Sequence, residues 1–121
     1  MALIAIKLKN LKVLTSVGVT EQERKTKQEI ALNIDMQVDV LPAAQSDDLR
    51  DTVDYEHLIR LVSNRLQERS YKLMERLAAD IAAELLKQPR VKSLTVSARK
   101  FLPLPLDYVG VSVSAKQGEV L

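Results

Sequence analysis

The feature that most constrains the fold is an alternation of large apolar residues with polar or small ones over positions 30–40. The apolar members of this alternation are Ile30, Leu32, Ile34, Met36, Val38 and Val40. Successive side chains of a β-strand point to opposite faces of its sheet, so a period of two predicts a strand with one apolar and one polar face. Such strands are typical of antiparallel sheets that are covered on one face only. Pro42 is expected to end the strand.

Three further segments predict strands by the same alternation: 3–15, 94–98 and 109–115. In the first of these the parity of the apolar residues changes at Asn10, as a β-bulge would cause. A polar, charged connection over 20–27 leads to the second strand and is too long for a two-residue hairpin turn. These segments therefore predict four strands.

Two amphipathic helices are predicted between the second and third strands. The first follows a polar loop over 43–51 and starts near 52–54. Ser70 is a candidate N-cap of the second helix, which Pro89 is expected to end. The apolar stripes have the three- and four-residue spacing of helices. They consist of Leu58, Leu61, Val62 and Leu66 in the first helix, and of Leu73, Leu77, Ile81 and Leu85 in the second.

The order of these elements predicts one α+β domain over residues 1–121. Its antiparallel four-stranded sheet would carry both helices on one face, in the order ββααββ. The outer strands of such a sheet leave long rows of backbone N–H and C=O groups unpaired. Joining several copies edge to edge into a closed ring would pair them, so we expect a homo-oligomer.

The composition argues against several classes of protein. The chain has no cysteine and one histidine, His57, whereas zinc and iron sites draw on several such ligands, so we expect no metal. A net charge of +2 and 3% aromatic residues argue against nucleic-acid binding. No apolar run reaches the roughly 18 residues that indicate a membrane span. We expect neither a membrane nor a nucleic acid as a partner.

Four blocks of the sequence resemble the dihydroneopterin aldolase family. They are V-G-V-T-E-Q-E-R-x-x-x-Q at 17–28, S-D-D-L-R-D-T-V-D-Y at 46–55, L-M-E-R-L-A at 73–78 and the lysine at position 100. The resemblance implies a T-fold and a cytoplasmic lyase of folate biosynthesis that uses no cofactor. Its substrate would be 7,8-dihydroneopterin, cleaved to 6-hydroxymethyl-7,8-dihydropterin and glycolaldehyde. The family assembles as tetrameric rings, paired into octamers, with active sites between subunits.

The resemblance also implies the catalytic residues, which are Lys100, Tyr55 and Glu23. Lys100 would act at the ring as general base and then acid. Tyr55, reaching a neighbouring subunit, would carry protons to or from the side-chain hydroxyls or the intermediate. Glu23 would also bind the hydroxylated side chain and position water. Without the resemblance, a solvated lysine, a half-buried tyrosine and a loop carboxylate would be the usual interpretations.

Substrate recognition is assigned in the same way to Glu75, Val53 and Met74, together with Glu23 and Tyr55. The Glu75 carboxylate can accept two parallel hydrogen bonds from the ring N–H and exocyclic amine of a pterin. The backbone beside Val53 and Met74 would hold the pterin edge. From spacing alone, Glu75 would be interpreted as an exposed helix residue.

Two alternatives remain open at this level. The same polar residues suit a dihydroneopterin triphosphate 2′-epimerase or a non-catalytic oligomer that binds pterins. Zinc-dependent relatives of the fold are disfavoured by the lone histidine. The chain departs from the family pattern at Val17, where histidine is frequent, and at Phe101, where proline is frequent. These departures affect the side-chain pocket and hence the choice between cleavage and epimerisation.

Overall fold

A computed structural model describes residues 2–121 of the chain. Its strands are β1 (Ile4–Val17), β2 (Gln28–Val38), β3 (Ser70–Tyr71), β4 (Val91–Lys100) and β5 (Val109–Lys116). Its α-helices are α1 (Glu21–Arg24), α2 (Leu41–Ser46), α3 (Tyr55–Glu68) and α4 (Met74–Leu86), and Leu49–Asp51 forms a 3₁₀ turn. The predicted α+β class, the four long strands and the two long helices are confirmed.

The strands form one sheet in the order β3-β1-β2-β4-β5. The four long strands pair antiparallel, as predicted. The fifth strand, β3, was not predicted; it has only two residues, which pair parallel with Ser16 and Val17 of β1. Sheet and helices therefore match the predicted ββααββ order, with β3 as a small addition.

The bulge predicted at Asn10 is present in β1. The register against β2 shifts between Leu8 and Leu11, and Asn10 has a φ of 54°. Asparagine tolerates this left-handed conformation better than most residues. The Asn10 backbone N–H donates to Oδ1 of Asn33 at 2.8 Å, so it remains satisfied although it leaves the regular ladder.

The core lies between one face of the sheet and helices α3 and α4. The alternating apolar residues of β2 supply its sheet side and are almost fully buried. The helices contribute the residues at helical spacing that were predicted to face the core, namely Leu58, Val62 and Leu66 from α3 and Leu77, Ile81 and Leu85 from α4. No helix among residues 2–121 is long and apolar enough to cross a membrane.

Two predictions about the start of α4 were wrong. Ser70 lies in β3 and caps no helix, because β1 continues to Val17 and pairs with it. Leu73 occupies the N-cap position and is 49% exposed, because the helix begins one residue later, at Met74. The apolar spacing of this segment is helical, but its first member lies outside the helix.

The connections around 20–27 and 43–51 were predicted as loops, and each of these two contains a short helix. In the first, Thr20 caps α1. In the second, β2 ends at Val38 and Pro42 lies in the first turn of α2. Proline has no N–H to lose there and its fixed φ suits a helix start. Helices of four and six residues show no complete apolar period, so periodicity did not predict them.

Candidate active site

Glu23 and Lys100, distant in sequence, form an ion pair at one end of the sheet. Lys100 is the last residue of β4, and its side chain lies on the same face as the buried Val96 and Ala98. Its Nζ is 3.3 Å from Oε2 of Glu23. Lys100 is 9% exposed as a residue, whereas the Glu23 side chain is 42% exposed. The pair therefore presents a carboxylate at the surface and a buried ammonium behind it.

A capping box holds Glu23 in position. Oγ1 of Thr20 accepts the backbone N–H of Glu23 at 3.1 Å, and Oε1 of Glu23 accepts the backbone N–H of Thr20 at 3.3 Å. The hydrogen bond from the Thr20 backbone, followed by the one from Lys100, lowers the pKa of Glu23 below its ordinary value. Glu23 is consequently a carboxylate at neutral pH.

Gly18 allows Glu23 to approach the chain closely. A Cβ atom added to Gly18 would lie 2.4 Å from Cβ of Glu23 and 2.9 Å from its Oε2. Real Cβ atoms essentially never come so close to other heavy atoms. Gly18 belongs to the block at 17–28 that resembles the family, but nothing in the sequence predicted this steric requirement.

The peptide unit between Val17 and Gly18 joins three elements behind the ion pair. The Val17 carbonyl accepts Nε2 of Gln28 at 2.6 Å and Nζ of Lys100 at 3.4 Å. The Gly18 N–H donates to the Tyr71 carbonyl at 3.0 Å. This peptide unit thus connects three strands: β2, which carries Gln28, β4, which carries Lys100, and β3, which leads directly into α4.

Met74 and Glu75 lie at this same end of the sheet, because α4 begins three residues after Tyr71. Glu75 is exposed and is the second residue of the helix, where the helix dipole favours a carboxylate. Met74, the first residue of the helix, is 8% exposed. Glu75 makes no side-chain hydrogen bond or ion pair within residues 2–121, in contrast to Glu23.

A buried network that the sequence did not reveal fixes the start of α4. Asp80 is 8% exposed and accepts two hydrogen bonds from Arg65 at 2.8 Å each and one from the Tyr71 hydroxyl at 2.5 Å. Burial and the bond to Asp80 raise the pKa of Tyr71 far above its ordinary value. A signal was available, since an acidic residue stands between Leu77 and Ile81 on the apolar side of α4.

Tyr55 and Val53 lie at the other end of the sheet. Tyr55 is the first residue of α3, which Asp54 caps, and is 54% exposed. It borders a cavity of about 550 Å³ together with Val53 and the early β1 residues Ala5 and Ile6. From there to Val17, β1 extends over a length on the order of 35 Å. In one chain Tyr55 is therefore remote from Lys100.

The predicted site residues thus form two groups within a chain. One group has Glu23 and Lys100 in contact, with Met74 and Glu75 at the same end of the sheet. The other group consists of Val53 and Tyr55. The family resemblance implies that Tyr55 reaches a neighbouring subunit, and this separation is compatible with that hypothesis.

Comparison with protein families gives a match over residues 6–114 to the family model described as "FolB: Dihydroneopterin aldolase". A dihydroneopterin aldolase from Methylorubrum extorquens is 31% identical over 107 residues, covering 85% of this chain and 82% of the relative. A dihydroneopterin triphosphate 2′-epimerase from Escherichia coli K12 is 26% identical over 76 residues, which is 63% of either chain.

Solved structures show the same fold. The E. coli dihydroneopterin aldolase in complex with neopterin superposes with a TM-score of 0.87 at 26% identity, covering 93% of this chain and 98% of that one. A dihydroneopterin aldolase from a Burkholderia species, bound to guanine, has a TM-score of 0.78 at 29% identity, covering 94% of this chain and 91% of that one.

Proposed function

The chain belongs to the dihydroneopterin aldolase family, and from this premise we propose that it cleaves 7,8-dihydroneopterin at sites formed by two copies of the chain. The products would be 6-hydroxymethyl-7,8-dihydropterin and glycolaldehyde. The observation that carries this proposal is the Glu23–Lys100 pair, an exposed carboxylate against a buried ammonium, at the end of the sheet where Glu75 opens α4.

Glu75 is assigned to recognition of the pterin ring. A carboxylate with no partner among the described residues 2–121, in the first turn of a helix, can accept the ring N–H and the exocyclic amine as a bidentate pair. The related E. coli enzyme binds neopterin and the Burkholderia one binds guanine. The two ligands share an amide and an amine on one ring edge, which supports recognition of that edge. The backbone of Met74 would contribute from the same turn.

Lys100 and Glu23 are assigned to the proton transfers of a retro-aldol cleavage. The C2′ hydroxyl loses its proton, the C1′–C2′ bond breaks, and C2′ leaves as the aldehyde carbon of glycolaldehyde. The electron pair of that bond moves into the C=N bond of the dihydropterin ring, which serves as the electron sink. C1′ then receives a proton and becomes the hydroxymethyl carbon. Lys100 exchanges protons at the ring, and Glu23 holds the hydroxylated side chain and water.

Tyr55 and Val53 would complete the site from a second copy. Within one chain these two residues lie at the end of the sheet opposite Lys100, so only a second copy of the chain can place them beside it. A contact between the Tyr55 end of one copy and the Lys100 end of the next is head-to-tail, and its repetition forms a ring when the rotation between copies closes. Tyr55 would then transfer protons at the side-chain hydroxyls, and the Val53 backbone would contact the pterin edge.

The edges of the sheet support this assembly. Apart from the two-residue pairing with β3, the outer edge of β1 makes no strand pair within the described chain, and neither does that of β5. Pairing these edges between copies would close a β-ring, as in the tetrameric rings and paired rings expected from the family. A cytoplasmic location remains a prediction from the same resemblance.

A product assay without added metal tests the proposed activity. The protein is incubated with 7,8-dihydroneopterin and, separately, with its triphosphate, and the products are separated by chromatography. We expect release of glycolaldehyde from dihydroneopterin. A changed diastereomer of the triphosphate with little cleavage would instead favour the epimerase activity of the E. coli relative. Binding without turnover would contradict both and leave a pterin-binding oligomer.

A further inference from the structure

Gln28 lies behind the Glu23–Lys100 pair and has no role in the reaction proposed above. It is the first residue of β2, and Thr15 is its partner on β1. Its side-chain amide donates to the Val17 carbonyl at 2.6 Å, a shorter hydrogen bond than the 3.4 Å contact from Lys100 to the same oxygen. We propose that Gln28 is a positioning residue, which acts on the reaction by fixing the Val17 carbonyl that holds the Lys100 ammonium.

The geometry of the carbonyl supports this role. A carbonyl oxygen has two lone pairs, so Gln28 and Lys100 can share it without excluding each other. The same peptide unit is held at its other end by the Gly18 N–H, which donates to the Tyr71 carbonyl at 3.0 Å. With both ends held, the peptide plane cannot rotate, and the carbonyl keeps its direction toward Nζ.

Lys100 has few other means of keeping its position. Its Nζ contacts two groups in the described chain, the Val17 carbonyl and the Glu23 carboxylate. Glu23 is 42% exposed and, on the proposed function on which this inference rests, turns toward the substrate's hydroxyls. During turnover the Val17 carbonyl is then the fixed partner of Nζ. A misplacement of about 1 Å at a reacting group can cost on the order of a hundredfold in rate.

The central test replaces Gln28 with a residue of similar length that cannot donate. Gln28→Met is compared with wild type and with Gln67→Met, the same change at an exposed residue of α3. We expect kcat for glycolaldehyde release to fall at least about tenfold in Gln28→Met, with KM changed less than about twofold, because the pterin is gripped elsewhere. Gln67→Met should match wild type. A kcat of Gln28→Met within twofold of wild type would overturn the inference, and so would a change confined to KM.

Coupling to Lys100 separates positioning from a general structural effect. If Gln28 acts through Lys100, the same substitution made in a Lys100→Ala background should not lower the residual rate further. An equal fractional loss in both backgrounds would contradict the inference. Gln28→Glu, which keeps the shape but has no amide donor, serves as the second variant if the methionine variant does not fold, with the same expected loss. Failure of the wild type to release glycolaldehyde would count against the proposed function, not against Gln28.

Discussion

Gly18 contributes to the site through the side chain that it lacks. Its Cα packs against Glu23 so closely that an added Cβ would lie 2.4 Å from Cβ of Glu23, an atom that cannot swing away as a side-chain terminus can. The backbone of α1 would have to move, and the capping box from Thr20 would move with it. The need for glycine here is one of space, not of a left-handed backbone.

Gly18→Ala is therefore expected to displace Glu23 from Lys100 and to lower kcat on the order of a hundredfold. Steady-state release of glycolaldehyde measures the effect. Gly110→Ala is the matched control, because a Cβ there would meet its nearest atoms at 3.3 Å, a far milder contact than the 2.4 Å at Gly18. The steric account would be wrong if both alanine variants kept wild-type turnover.

At the scale of residues, the sequence indicated which polar side chains to examine but not how they are held. Lys100 shares the parity of the buried Val96 and Ala98 along β4, and Glu75 lies at a helix start. The roles of both came from the family resemblance. Gln28 belongs to the block at 17–28, but the sequence predicted no function for it, because its side-chain hydrogen bond to the Val17 carbonyl produces no periodic pattern.

At the scale of elements, the network of Arg65, Asp80 and Tyr71 ties α3, α4 and β3 together beneath the site. The Tyr71 hydroxyl bonds to Asp80 of α4, while the Tyr71 carbonyl accepts the Gly18 N–H. Tyr71 therefore links the helix that carries Glu75 to the peptide unit beside Lys100. The relative position of these two site residues depends on that link.

Asp80→Asn should lower the free energy of unfolding by about 3 kcal/mol, because the mostly buried Arg65 loses the closer of its two carboxylate partners and keeps only the 3.4 Å pair with Glu84. Denaturant unfolding measures this change. Asp48→Asn offers a control at an exposed pair with Arg50, where we expect a much smaller loss because water screens the pair. Equal losses in the two variants would contradict the importance of the buried network.

The stability difference between wild type and Asp80→Asn depends on pH through the pKa of Asp80. Burial by itself raises the pKa of Asp80, but the hydrogen bonds from Arg65 and Tyr71 outweigh it, so the pKa lies below its ordinary value. A depressed pKa stabilises the fold above the unfolded-state value and loses that effect as pH falls through the folded-state value. The difference in the free energy of unfolding between wild type and Asp80→Asn should have its full value above about pH 5 and shrink below about pH 4. A difference that grows on acidification would refute this sign.

Elements with a full apolar period were the ones that the sequence predicted. The alternation over 30–40 located β2, and the stripes of α3 and α4 located both long helices within a few residues. Helices α1 and α2 and the strand β3 were missed because six residues or fewer display no period. Thr20 and Glu23 do have the spacing of a capping box, so the start of α1 could have been predicted from these two residues.

At the scale of the whole molecule, the large distance between Tyr55 and Lys100 could not be predicted from any local sequence pattern. It arises because α3 begins beside Ile6, whereas β4 ends near Val17, at the two ends of the longest strand. The unpaired edges of the sheet were inferred from the number of strands alone and led to the expectation of a ring. Both features point to an active site that one copy of the chain does not complete.

Subunit mixing tests this central claim most directly. Lys100→Ala and Tyr55→Phe are each expected to release little glycolaldehyde, but co-assembly in equal amounts should return about a quarter of the wild-type rate, from sites that draw an intact half from each variant. Lys100→Ala mixed with Glu23→Gln is the control and should recover nothing, since both changes lie in the same half. If the first mixture stays as inactive as its components, or the control recovers equally, the site is not shared between chains.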